Sequence, residues 1–350
     1  MTAALGYTAI GIVFYAAFVA LMLRGAGDRV RVGLRSGACV AAAFPLALLV
    51  QGASQHWLKR GGGSPLLLSA LCAAIGLAAS RLRVLTPVYV LAALTVAVIA
   101  VDVAITGPIQ AASVLGYSLQ TTGRFYGMAN ASFSVFAASL LLLAAAAAGR
   151  SPSRVRATAA TAVLAVGLAF LAAPWLANDI GGTLTMVPVT LACAWGFFNR
   201  QITPRVVVVG ALIGVGVIAG LTAVEAAIGE GTHLGRAAQS NSSLVNTVWH
   251  RVEVNVGLLV HQPWGFLCIL LAGGGLVALA VQRRWTDYLP PRSPLRIVAI
   301  SALVVSLLGF AVNDSGPVVI VLCLVVLAPM IALTALHGPA GTPGAAPTRR

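Results

Sequence analysis

The chain has 350 residues, of which 59% are hydrophobic and only 9% are charged, and its mean hydropathy is +0.96. A soluble domain carries about 25% charged residues, so this composition excludes an ordinary water-soluble fold. The net charge of +14 does not indicate a nucleic-acid-binding protein, because the basic residues form short clusters between long apolar stretches.

The apolar stretches predict an all-α, polytopic transmembrane bundle, since each crossing of a bilayer takes roughly 20 apolar residues. In chain order, the predicted spans are residues 5–23, 37–54, 64–80, 84–106, 128–149, 157–176, 182–198, 205–228, 263–281, 297–312 and 317–336. These 11 spans form one domain over residues 1–337. The Pro/Gly/Ala-rich tail, residues 338–350, is expected to be disordered in the cytoplasm.

The distribution of lysine and arginine predicts how the bundle lies in the membrane. Of the 22 basic residues, 17 fall in alternate connecting segments and in the C-terminal tail. By the positive-inside rule, these segments are cytoplasmic, which places the N-terminus outside and the C-terminus inside a multi-pass plasma-membrane protein. The remaining basic residues are expected outside; they are Lys59, Arg60, Arg124, Arg236 and Arg251.

The first unusual polar motif lies between two predicted spans and reads Gly123-Arg124-Phe125-Tyr126-Gly127-Met128-Ala129-Asn130. The loop that contains it, from Gly107 to Asn130, is too short and too apolar for a separate domain, so we expect this loop to dip into the outer half of the bundle. The planar guanidinium of Arg124 suits a phosphate or carboxylate, with Tyr126 and Asn130 as further substrate-binding residues. Alternatively, Arg124 pairs with Asp102 and fixes the loop.

The second motif, Asn178-Asp179-Ile180-Gly181-Gly182, recurs in form as Asn313-Asp314-Ser315-Gly316-Pro317 at another outer turn. One interpretation is structural, because Asn and Asp are favoured at helix N-caps and in tight turns. In the other interpretation, Asp179 and Asp314 are catalytic groups or ligands of a divalent cation, and Asn178 and Asn313 bind substrate.

The third motif is a long outer loop, Gly229-Glu230-Gly231-Thr232-His233-Leu234-Gly235-Arg236, which precedes an amphipathic stretch over residues 242–260. That stretch predicts a helix lying on the membrane surface. His233 is a candidate catalytic residue. The candidate substrate-binding residues here are Arg236, Arg251 and Asn255.

Together the motifs resemble blocks, in the same order, of large membrane proteins from high-GC Gram-positive bacteria. The resemblance covers roughly residues 40–335 and includes Leu115-Gly116-Tyr117-Ser118 and Gly309-Phe310-Ala311-Val312-Asn313-Asp314-Ser315-Gly316. In those relatives the multi-span region commonly follows an extracytoplasmic domain similar to alkaline phosphatases and phosphodiesterases. Only residues 1–4 come before the first predicted span, so we expect no such domain there, and Ala129 stands where the relatives usually have Gly. The resemblance implies an outward-facing polar site that works beside phosphoester chemistry.

Three functions fit these patterns, and the sequence leaves open whether the protein is an enzyme. In the first, the protein binds and processes a phosphate-bearing lipid, such as a polyprenyl-linked one, at the outer leaflet, as a transferase or a related envelope enzyme. Arg124, Arg236 and Arg251 then hold the phosphate, and Asp179 or Asp314 acts as base or metal ligand. In the second, the same residues form the headgroup site of a transporter or flippase. In the third, the protein is a membrane scaffold for a separate extracytoplasmic phosphatase-like protein.

Overall fold

The structure is a computed structural model that describes most of the predicted spans. Its described residues are 28–58, 65–83, 85–116, 127–150, 153–173, 175–199, 288–312 and 317–337, with scattered residues between 205 and 286. Within these ranges the chain forms helices and turns and contains no strand. The helices are α1 Asp28–Ala42, α2 Phe44–Leu58, α3 Pro65–Ser80, α4 Thr86–Ala104, α5 Pro108–Ala112, α6 Asn130–Ala148, α7 Arg154–Ala172, α8 Ile180–Phe197, α9 Pro294–Val312 and α10 Pro317–Leu336.

Five of these helices, α4, α6, α7, α9 and α10, are long and apolar enough to cross a membrane. Each coincides with one predicted span, and α3 and α8 are shorter apolar helices at two further predicted positions. The predicted span 5–23 lies outside the described residues, as does the tail. The spans at 205–228 and 263–281 are described only at scattered positions. The all-helical fold is therefore confirmed for the described chain, whereas the total of 11 spans stays a prediction.

A sharp bend divides the region where the sequence predicts one span at 37–54. There α1 and α2 meet at an angle of 45°, and α1 begins at Asp28, well before the predicted boundary. Pro45 explains the bend, because proline has no N–H to donate to the carbonyl of Ala41 and its ring crowds the preceding turn. Ala43 N still donates to Cys39 O at 3.0 Å, so the helix continues up to the bend.

Helix α6 lies at the centre of the bundle and packs against α4, α7, α9 and α10. Its sequence is small or apolar on every side, which is typical of a helix that is buried all round. Phe133 and Phe136 are fully buried on it, and the Phe136 ring contacts that of Phe170 on α7 with centroids 5.5 Å apart.

The outer surface of the bundle is apolar. Leu66 on α3, Val155 and Val166 on α7, and Val101 on α4 are between 62% and 81% exposed. In water, a surface of this kind is an aggregation or interaction surface, whereas lipid chains cover it without cost. The apolar surface and the long apolar helices are compatible with a membrane-embedded protein.

The two ends of the bundle differ in charge. Arginines gather where α3, α6 and α8 end and α4, α7 and α9 begin, and we call this the basic end. Its arginines include Arg35, whose side chain donates to Leu82 O, and Arg81, Arg83, Arg150, Arg154, Arg156, Arg292 and Arg296. At the opposite end, α4 and α7 finish and α6 and α8 begin, and Asp102 and Asp179 are found there. We call this the carboxylate end.

Two contacts between helices give the directions of α9 and α10. Cys193 Sγ lies 3.0 Å from Ser301 Oγ, and Cys323 Sγ lies 3.5 Å from Ser134 O. These contacts show that α9 ends and α10 begins at the carboxylate end.

Candidate functional site

Buried charge is confined to the carboxylate end in the part of the chain that the structure describes. Asp102 is fully buried and Asp179 is 4% exposed, and no other charged side chain is buried in the described ranges. A buried carboxylate is costly unless hydrogen-bond donors surround it. The local structure supplies such donors to each aspartate in a different way.

Asp102 is held by the turn that follows α4. Thr106 and Gly107 both have positive φ, 75° and 72°, and this reversal directs α5 back toward the end of α4. The Asp102 carboxylate then accepts hydrogen bonds from Ile109 N at 2.7 Å and Gln110 N at 2.9 Å. Charge-assisted bonds of this kind compensate the burial of the carboxylate. Asp102 therefore fixes the corner between α4 and α5.

The segment after α5 is tied to the start of α6. Gln110 Oε1 accepts a hydrogen bond from Ala129 N at 3.3 Å, and Ser132 Oγ donates to Leu115 O at 3.1 Å. A side chain at Gly116 would overlap the carbonyl group of Gln110, so the close approach there requires glycine. Residues 107–116 thus pack directly on the N-terminal end of α6.

The start of α6 is tied in turn to the turn between α7 and α8. Met128 N donates to Ala177 O at 2.8 Å. Gly127 has a φ of 92°, and a Cβ atom there would lie 2.7 Å from Ala177 O. Gly116 and Gly127, which flank residues 117–126, are therefore both fixed at the carboxylate end.

Asp179 caps α8. Asn178 adopts a left-handed conformation with a φ of 44°, and Asp179 N donates to Leu171 O at 3.0 Å. The Asp179 Oδ1 atom accepts from Gly182 N at 2.9 Å, which is the geometry of an N-cap. A side chain at Gly182 would overlap Asp179 Oδ2 and approach the Phe133 ring, so glycine is required at this contact as well. The structural interpretation of the second motif therefore holds for its first copy.

Three of the predicted site residues fall within the described ranges, and all three lie at the carboxylate end: Asn178, Asp179 and Asn130, the buried first residue of α6. The flanks of residues 313–316, Val312 and Pro317, lie at this end as well. The other predicted site residues lie outside the described residues; they are Arg124, Tyr126, His233, Arg236, Arg251, Asn255, Asn313 and Asp314. The pairing of Arg124 with Asp102 falls outside them too. Within the described ranges, no three His, Cys, Asp or Glu side chains form a metal-binding group.

Sequence reasoning missed the buried role of Gln110. The sequence does contain a signal for Asp102, which lies beside Gln110 in the structure. Gly107-Pro108, five residues after Asp102, is typical of a helix start whose free backbone N–H groups need a cap. No sequence pattern distinguishes Gln110 from an exposed polar residue of a short loop.

Substitution of Asp179 separates capping from chemistry. Asn is as good an N-cap as Asp, whereas Ala lacks the acceptor and costs about 1 kcal/mol. We therefore expect Asp179→Asn to keep the wild-type melting temperature in detergent and Asp179→Ala to lower it. If Asp179 also acts as a base or metal ligand, Asp179→Asn abolishes turnover without loss of stability. Equal melting temperatures for the two variants would contradict the capping role.

Comparison with known proteins gives no family for this chain. No protein-family model, curated protein or solved structure matches it. The resemblance to the envelope proteins of high-GC Gram-positive bacteria therefore stays an expectation.

Proposed function

We propose that this chain is an integral membrane protein of the cell envelope that binds and processes a phosphate-bearing lipid at its carboxylate end. By the positive-inside rule, this end faces the outside of the plasma membrane. The observation that carries the proposal is the confinement of buried charge, within the described ranges, to this one end of an otherwise apolar bundle. The polar headgroup of a lipid is accommodated at such an end while the acyl or prenyl chains of the lipid stay in the bilayer.

The interior between the two ends supports a site at the membrane surface. Away from the carboxylate end, the buried polar groups of the described helices include hydroxyls that bond to their own helix. Thr95 Oγ1 donates to Leu91 O, Ser306 Oγ to Ala302 O, and Thr334 Oγ1 to Met330 O. Transporters commonly place their substrate and coupling-ion sites near the midplane of the bilayer. The described interior carries no charge of that kind, which favours recognition at the end of the bundle.

The anchoring of residues 117–126 supports the phosphate part of the proposal. Both flanks of this segment are held at the carboxylate end by the bonds of Gln110, Leu115 and Met128. The segment contains Arg124, whose guanidinium forms bidentate hydrogen bonds with phosphate. Arg236 and Arg251, from the third motif, are further candidates to hold the phosphate.

A flippase is the second candidate, and α8 favours it. Pro188 lies inside the continuous helix, and the buried hydroxyl of Thr190 has no hydrogen-bond partner within the described ranges. A proline inside a span leaves one backbone carbonyl without its helical donor, and transporters commonly use such unsatisfied backbone groups in their substrate sites. In such a protein the carboxylate end would serve as the outer headgroup site.

Native mass spectrometry of the detergent-purified protein tests the proposal. We expect wild type to carry a phosphate-bearing lipid that Arg124→Ala loses, because the variant lacks the guanidinium. The matched control is Arg81→Ala, since Arg81 is an exposed arginine at the basic end, and this variant is expected to retain the lipid.

Each contrary result has a distinct meaning. A wild-type protein without any specific lipid would contradict the proposal and favour the scaffold role, in which a separate phosphatase-like protein is the partner. Equal retention by all three proteins would contradict the role of Arg124.

A further inference from the structure

The first turn of α7 exposes two arginines with a valine between them. Arg154 and Arg156 are exposed, and the intervening Val155 is 79% exposed. The Nη1 atom of Arg156 lies beside Gly149, the C-cap of α6, and the exposed Arg150 follows that glycine. Arg150, Arg154 and Arg156 therefore lie together at the basic end, and we call them the α7 arginine cluster.

The helices around this cluster carry no carboxylate. α7 packs against α6 and α8, and none of these three helices contains an acidic residue. The nearest acidic residues along the chain, Asp102 and Asp179, lie at the opposite end of the bundle. Because like charges held close together repel one another, the cluster favours an anion supplied from outside these helices.

An exposed apolar stripe continues from the cluster along the membrane-crossing part of α7. It consists of Val155, Ala159, Ala162, Val166 and Ala169, which recur at helical spacing and are all exposed. α7 is also the least buried of the five long helices, so this side of it faces outward. Three of the five side chains are alanines, which leave a shallow track along the helix. An acyl chain can cover such an apolar track, whereas a soluble anion makes no use of it.

The neighbouring helix indicates the depth of the cluster in the membrane. Trp195 lies in the last turn of α8 and is 45% exposed. Exposed tryptophans are enriched where the hydrocarbon core of a bilayer meets the lipid headgroups. Since α8 packs on α7 and ends at the basic end, the arginines at the start of α7 lie near the headgroups of the same leaflet.

We infer that the α7 arginine cluster binds the phosphate of an anionic phospholipid in the leaflet at the basic end, with one acyl chain along the apolar stripe of α7. Arginine suits this role, because its guanidinium forms bidentate hydrogen bonds with phosphate. An anionic headgroup is preferred to a zwitterionic one, since the arginines repel the ammonium group of the latter. This site lies at the opposite end from the carboxylate end and does not depend on the lipid proposed there.

The test is photo-crosslinking in lipid vesicles. Two photoreactive lipids, a phosphatidylglycerol and a phosphatidylcholine, carry the same diazirine-labelled acyl chain and differ only in the headgroup. Each is added in trace amounts to phosphatidylcholine vesicles that contain the protein, and the labelled peptides are mapped by mass spectrometry. We expect the phosphatidylglycerol to label α7 about tenfold more strongly or better, because each arginine near a membrane surface strengthens the binding of anionic lipid about fivefold.

Two matched double variants locate the effect. Arg154→Gln/Arg156→Gln keeps good helix formers at both positions and leaves the cap of α7, in which Ser153 Oγ accepts from the backbone nitrogen of residue 156. We expect it to reduce labelling of α7 by phosphatidylglycerol to the level of phosphatidylcholine. Arg81→Gln/Arg83→Gln removes two exposed arginines before α4 and should keep the wild-type labelling of α7. Equal loss in both double variants would overturn the assignment to α7.

The salt dependence of wild type tests the same site without any substitution. The preference for phosphatidylglycerol should fall severalfold between about 0.1 and about 1 M NaCl, as the Debye length shortens from about 10 to about 3 Å. A preference that survives this change would show that the arginines are not its cause, even if Arg154→Gln/Arg156→Gln fails to fold.

Two further results would overturn the inference. Equal labelling of α7 by both lipids in wild type would show that the cluster does not select an anionic headgroup. Loss of the preference in soluble glycerol phosphate, but not in NaCl of the same ionic strength, would assign the cluster to a soluble phosphate and not to a lipid.

Discussion

Asp102→Ala is expected to lower the free energy of unfolding by about 3 kcal/mol or more. The substitution leaves Ile109 N and Gln110 N without their acceptor in a fully buried corner. Hydrogen bonds to a charged group contribute about 1.5–3 kcal/mol each. The corner between α4 and α5 should therefore open, and the tie between Gln110 and Ala129 should be lost with it. The measurement is the apparent melting temperature in detergent, followed by intrinsic fluorescence.

The control for this prediction is Asp102→Asn. Asparagine keeps one acceptor oxygen, but its amide nitrogen faces the second backbone N–H and cannot accept from it. The stability of the Asp102→Asn variant should therefore fall between those of wild type and Asp102→Ala. An Asp102→Ala variant with the same melting temperature as the wild-type protein would show that the carboxylate does not hold this corner.

Gly76→Ala is expected to be the most disruptive single-methyl change in the described helices. Gly76 lies where α3 crosses α1, and a Cβ atom there would overlap Val40 and lie 2.6 Å from its backbone nitrogen. Because the obstacle is backbone, the two helices must separate. Overpacking costs about 1–3 kcal/mol, and we expect the upper end of this range. The readout is the melting temperature together with the yield of monodisperse protein.

Gly37→Ala provides a control of opposite sign on the facing helix. Gly37 lies in α1, and a Cβ atom there meets nothing within 4 Å. Replacement of a helical glycine by alanine should therefore raise stability by about 0.5–1 kcal/mol. If both variants shift the melting temperature in the same direction, the close crossing of α1 and α3 is wrong.

The helices of this fold were largely predictable, because a membrane span needs a long apolar run and such runs are visible in the sequence. The bend between α1 and α2 was missed although its cause, Pro45, is visible. Proline shows where a helix is interrupted, but the residues on both sides of it, 38–50, are apolar. Hydropathy alone therefore merges the two helices into one span.

The site was predictable only in its local parts. The capping role of Asp179 follows from the Asn-Asp turn and the neighbouring glycines, which act over four residues. The hydrogen bonds that assemble the carboxylate end join residues much farther apart in sequence: Ala129 N donates to Gln110 Oε1, and Met128 N donates to Ala177 O. No local pattern encodes which of the outer turns touch. The burial of Gln110 is visible only in the structure.

The assembly of the carboxylate end explains why its motifs contain so many glycines. Gly107 and Gly127 adopt left-handed conformations, and Gly116 and Gly182 allow backbone and carboxylate groups to approach where any side chain would overlap them. The polar turns are therefore closely packed at these glycines. The glycines thus hold the hydrogen-bonding groups of this end in fixed positions.

The central claim is that a phosphate-bearing lipid binds at the carboxylate end. The most direct measurement is a cryo-electron microscopy structure of the protein saturated with a phosphate-bearing lipid, with an antibody fragment bound to increase its size. We predict headgroup density at the carboxylate end, with the phosphate against the segment that contains Arg124. Headgroup density only at the basic end, or lipid only in the annular belt around the helices, would contradict the claim.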